Sequence, residues 1–128
     1  MPLLVEISAG ELIDKITILE IKLQNITDPE KLANIRHEYA QLSAILRHEV
    51  PQSPTLVALA EALKRVNAEL WQIEDDIRGQ EKAQNFGAEF IALARSVYRT
   101  NDRRAALKRE INALLGSDII EEKSYAAY

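Results

Sequence analysis

The chain has 128 residues but no cysteine, one tryptophan, two histidines, four glycines and four prolines. Without cysteine there is no disulfide, no thiolate metal site and no thiol nucleophile; compartment stays open on this ground. With so little glycine and proline, few turns are enforced and most of the chain belongs to regular structure. No apolar run approaches the ~18 residues of a membrane span. The first residues, MPLLVEISAGEL, lack the basic start and long apolar stretch of a secretory signal. No membrane insertion is expected, and the expected location is the cytoplasm. No phosphate-binding or dinucleotide-binding glycine loop is present. The two histidines, His37 and His48, fall on one predicted helix, about 16 Å apart along its axis, too far to share a metal. Asn34 and Ile45 stand where a di-iron bundle would need Glu, so both histidines are expected at the surface.

What is present is 47% apolar and 28% charged, the composition of one globular domain over residues 1–128. Ser8 and Glu11 fit a capping box that opens a helix over 9–25. Leu12, Ile16, Leu19, Leu23 and Ile26 recur at coiled-coil-like spacing, and Ile13, Ile18 and Ile21 add apolar groups on other sides. A helix apolar nearly all round packs against more than one neighbour. Asp28-Pro29 restarts a helix to about Glu49, so 9–49 reads as an antiparallel hairpin. Leu32, Ile35, Tyr39, Leu42 and Leu46 form its second seam. Ser53-Pro54 opens a third helix that runs to Arg78 or beyond, with a seam from Leu56 to Ile77. GQEKAQNFG (79–87) is a turn or a helical extension. A fourth helix covers about 86–115 and ends at Gly116, a residue suited to a left-handed cap. The predicted fold is all-α: an antiparallel bundle of about four long helices, with 54–116 as the second helix pair and 117–128 as a docked C-terminal tail. The long seams leave an apolar side of the first or second helix for a homodimer or another protein partner.

The fourth helix breaks its own pattern. Phe90, Leu93, Ala94, Val97, Ile111 and Leu115 share one face, and Asn101, Arg104, Lys108 and Asn112 fall on that same face. Four polar groups at core positions need partners. Residues 80–116 carry 7 basic and 4 acidic side chains while the chain as a whole is at −4. A nucleic-acid binder usually shows a dominant basic face, so internal complementarity is the first expectation and no nucleic acid is expected. A ridge on the third helix, Asn67, Trp71, Glu74 and Arg78, is the candidate to face the stripe. The ligand-binding candidates are therefore Asn67, Glu74, Arg78, Asn101, Arg104, Lys108 and Asn112. Arg104 and Lys108, with Arg78 opposite, suit a carboxylate or phosphate, unless Glu11, Glu74, Glu121 or Glu122 neutralises them. In the tail, Ile119, Ile120, Tyr125 and Tyr128 are apolar enough to anchor it along the fourth helix, with Glu121 or Glu122 reaching Lys108 or Arg104. Glu69, Glu74, Asp75 and Asp76 are too poorly matched by Glu89 and Asp102 for a carboxylate metal centre, so no metal and no cofactor are expected. No nucleophile triad can be assembled.

GELIDKITILEIKL (10–23), VNAELWQIEDDIR (66–78), FIALARSVYRTNDRRAALKREIN (90–112) and GSDIIEEKSY (116–125) resemble a bacterial family of short helical proteins of unknown function. The resemblance covers nearly all the chain outside the second helix. It implies a link to glycosyltransferases and surface-polysaccharide pathways, and no activity. Two functions are thus expected in order. The first is a non-catalytic interaction or adaptor protein. The second is a binder or enzyme acting on an anionic or sugar-phosphate small molecule through the inward stripe.

Overall fold

A computed structural model describes residues 1–128. Four helices follow one another: α1 (Ala9–Asn25), α2 (Pro29–Glu49), α3 (Pro54–Lys82) and α4 (Ala88–Leu114). Their starts are set locally. Ser8, Asp28 and Ser53 each accept a hydrogen bond from the backbone N–H three residues on, and Pro29 and Pro54 follow two of these caps where a missing N–H costs nothing. Only half of the predicted capping box forms, because the Glu11 carboxylate is drawn to Lys108 and Lys15 instead. α4 starts at Ala88 rather than Phe86, and Gly87 gives it no side-chain cap.

Two helix ends close by the same device. At Gly116 the backbone is left-handed (φ 62°), the Ser117 N–H donates to Asn112 and the Gly116 N–H to Ala113. The end of α3 repeats this with Gln84 in the left-handed position (φ 57°), Asn85 donating to Gln80 and Gln84 to Glu81. The uncertain stretch after Gly79 is therefore helix to Lys82, then a tight turn.

α1 packs against all three other helices, and α3 packs along α4. The apolar surround of α1 is thus used. α2 has α1 as its only close helical neighbour, and Ile35 is its only buried residue. The bundle is a compact α1–α3–α4 unit with α2 laid on the far side of α1, so α3 and α4 pack on α1 rather than on the whole α1–α2 hairpin. At its centre Ile13, Leu56, Leu63 and Ile111 are buried together. Gly10 with Asn112 and Asp14 with Arg104 show that α4 runs opposite to α1. No helix is long and apolar enough to cross a membrane.

Candidate functional site

On α1, Gly10, Asp14, Thr17 and Ile21 recur at spacings that share one helix face, and all four are buried. That face meets the polar stripe of α4. Asn112 Oδ1 accepts the Gly10 N–H at 2.6 Å. Lys108 Nζ donates to Glu11 at 2.7 Å and to Glu121 at 2.8 Å. Arg104 grips Asp14 through two nitrogens, Nε to Oδ1 at 2.9 Å and an Nη to Oδ2 at 2.5 Å. α3 completes the cluster. Asn67 Nδ2 donates to Asp14 Oδ1 and to Thr17 Oγ1, both at 2.9 Å, and the Thr17 hydroxyl donates to the Asp14 carbonyl at 2.8 Å.

Asp14 is 1% exposed, the most deeply buried charge in the chain. Burial pushes its carboxyl up, but the hydrogen bonds from Arg104 and Asn67 and the charges of Arg104 and Lys108 outweigh that and hold it below the usual carboxylate range. The Asp14 hydrogen bonds raise Arg104 in turn. Burial lowers Lys108, yet its bonds to Glu11 and Glu121 leave it raised. Glu121 is lowered, by its bond to Lys108 first. Each inward cation therefore already carries a carboxylate.

Asp14 is the residue that sequence reasoning missed. The seam of α1 was read through its leucines and isoleucines, which left out Asp14, the one of its three acids that is fully buried. The signal was present: Asp14 lies one turn from Gly10 and one from Thr17 on a face without charge of its own sign, and the cations of α4 required a counter-charge. Glu11 and Glu121 neutralise Lys108 as foreseen. Glu74 does not reach the stripe; it pairs with Arg78 at 3.4 Å on the surface of α3.

The seven candidate residues divide. Asn67, Glu74, Arg78, Asn101 and Arg104 line one cleft of about 570 Å³ between α1, α3 and α4, together with Ile18, Ile21, Leu70, Trp71 and Asp75. Lys108 and Asn112 lie apart from it, committed to the contacts above. His37 and His48 are exposed.

The tail turns back along α4. Glu121 bonds Lys108, Glu122 bonds Arg109 at 3.0 Å, and the Tyr128 hydroxyl donates to Asp102 beside the Tyr98 ring. Its attachment is polar: Ile119, Ile120, Tyr125 and Tyr128 all stay exposed. The predicted apolar anchoring does not occur, because a tail against one ridge of α4 has no second wall to close over it. Removing Ser117–Tyr128 is accordingly expected to cost only about 1 kcal/mol, the worth of partly exposed ion pairs, since Lys108 keeps Glu11. Urea unfolding of the truncated chain measures this, and a loss of several kcal/mol would contradict it.

The fold and the site define a class first: an all-α bundle with a buried, charge-compensated polar seam beside an open cleft. The chain belongs to the family of unknown function DUF6165, whose model matches residues 3–128. No curated protein and no solved structure matches it.

Proposed function

We propose that the protein is a non-catalytic helical interaction module that assembles with a second copy of itself and serves as an adaptor. The observation that carries this is a groove of about 1080 Å³ formed by the N-terminal segment, the start of α1, the end of α2 and the end of α4. Leu3, Leu4, Val5, Ile7, Ile45 and Leu114 all line it and all are exposed. Apolar groups gathered in this way mark an interaction surface. Residues 2–7 also make no backbone hydrogen bonds within the chain, so this apolar segment presents free N–H and C=O groups to a partner.

A second copy fits that surface. Covering these six side chains would remove roughly 700 Å² per chain, close to the ~800 Å² per partner of a stable interface. A two-fold axis would set each 2–7 segment against its own copy, where both rows of backbone groups find mates. The sequence resemblance suggests that such a dimer works with surface-polysaccharide or glycosyltransferase enzymes.

Light scattering on the intact chain at 10–100 µM is the test. A dimeric mass that becomes monomeric in Leu4→Asp/Val5→Asp, with helical content unchanged, is the expected result. A monomeric parent chain overturns the proposal.

A further inference from the structure

The cleft beside the polar seam is independent of the groove. Asn67 is 4% exposed, and both hydrogen bonds of its side chain leave from Nδ2. The orientation of that amide is dictated by chemistry. The Asp14 carboxylate only accepts, so it must meet the NH₂ group. The Asn67 Oδ1 is thereby turned away from the seam, an acceptor without a protein partner, open to the cleft that this residue lines. An acceptor in that position is free to receive a donor from a ligand in place of water.

The surrounding groups define what kind. Asn101, half-buried on α4, makes no side-chain hydrogen bond within the chain and offers both a donor and an acceptor. Arg104 spends Nε and one Nη on Asp14, and its second Nη remains. Glu74 and Asp75 add acceptors at the rim. Trp71, also half-buried, supplies a flat apolar face. The charges nearly cancel: Arg78 and Arg104 stand against Asp14, Glu74 and Asp75. A strong anion gains little here because Arg104 is already satisfied, and a cation would meet two guanidinium groups.

We propose that this cleft binds a neutral, polyhydroxylated ring, a pyranoside or cyclitol, seated with its C–H face on Trp71. Its hydroxyls donate to Asn67 Oδ1 and exchange hydrogen bonds with Asn101 and Arg104. The volume is in the range of small-ligand sites, and mixed donors and acceptors around an aromatic face match a molecule whose every edge is a hydroxyl.

Trp71 is the only tryptophan, so selectively excited tryptophan emission reports on this cleft. The intact chain is titrated with myo-inositol and with methyl hexopyranosides, and in parallel with inorganic phosphate and tetramethylammonium chloride. The expected result is a saturable change with at least one neutral polyol. In Asn101→Ala, which breaks no internal hydrogen bond and should keep its unfolding midpoint, that affinity falls at least tenfold. Flat titrations with every polyol overturn the proposal. So does saturation by phosphate or tetramethylammonium alone, or an affinity unaltered in Asn101→Ala. None of these outcomes depends on the oligomeric state.

Discussion

Replacing Arg104 by alanine is expected to lower the unfolding free energy by about 3 kcal/mol, the lower end of the cost of breaking a buried ion pair. The damage lies in what remains. Asp14 is nearly inaccessible to water, and without Arg104 its carboxylate keeps only the Asn67 amide and the more distant Lys108 charge. Arg104 itself reaches the cleft and keeps some contact with solvent, which is why the lower end applies. The pair should couple strongly. Asp14→Leu/Arg104→Met, which removes both charges and keeps volume, should recover much of the loss, because a satisfied apolar contact can equal a buried salt bridge. Urea unfolding of the parent, the two single variants and the double variant gives the coupling energy directly. Simple additivity would mean that the two side chains do not depend on each other.

The same carboxylate sets the acid limit of stability. A carboxyl held below its unfolded value stabilises the fold above the unfolded value, near 3.8 for Asp14, and that contribution is lost as pH falls through the folded value. The parent chain should therefore stay level from neutral pH to about pH 5 and weaken progressively below it, with Glu121, also held low by Lys108, adding to the loss. The double variant should lose less over the same acid interval.

The second large effect is expected at Gly10, from geometry rather than charge. A Cβ there would lie 2.5 Å from the Lys108 carbonyl oxygen and 2.9 Å from Asn112 Oδ1. The first of these is backbone of α4 and cannot rotate away. Gly10→Ala must push α1 from α4, which strains the buried bond from the Gly10 N–H to Asn112. In an exposed helix interior the same change would help by roughly 1 kcal/mol. Here a loss of about 2–4 kcal/mol is expected, as overpacking and a weakened buried hydrogen bond combine. Gly79 is the internal control, since a Cβ there meets nothing within 4 Å. Thermal unfolding of Gly10→Ala and Gly79→Ala should move the midpoint in opposite directions. A neutral Gly10→Ala would show that α1 and α4 do not approach this closely.

Helix ends were legible in the sequence because they are local. Ser8, Asp28 and Ser53 act on groups three residues away, and Gly116 acts within its own turn. Periodicity likewise placed Asn101, Arg104, Lys108 and Asn112 on the inner face of α4, and the structure puts them there. The nature of their surroundings was not legible in this way. Arg104 finds Asp14 across 90 positions of sequence, Lys108 finds Glu11 across 97, and Gly10 finds Asn112 across 102. Those pairings depend on the register and closeness of α1 against α4.

The tail shows the same division. Its charges reached α4 as composition suggested, but whether Ile119 and Tyr125 could be buried depended on a second wall that only packing could supply. The sequence by itself determined four helices, the limits of α1 and α2, the start of α3 and the existence of an inward polar stripe, because hydrophobic period and capping act over a single turn or two. The tertiary structure decided that Asp14 is the stripe's anchor, that Gly10 is the point of closest helix approach, and that five of the seven candidate residues share one cleft. Burial and partner choice arise when distant helices meet, and no local pattern encodes the distance between them.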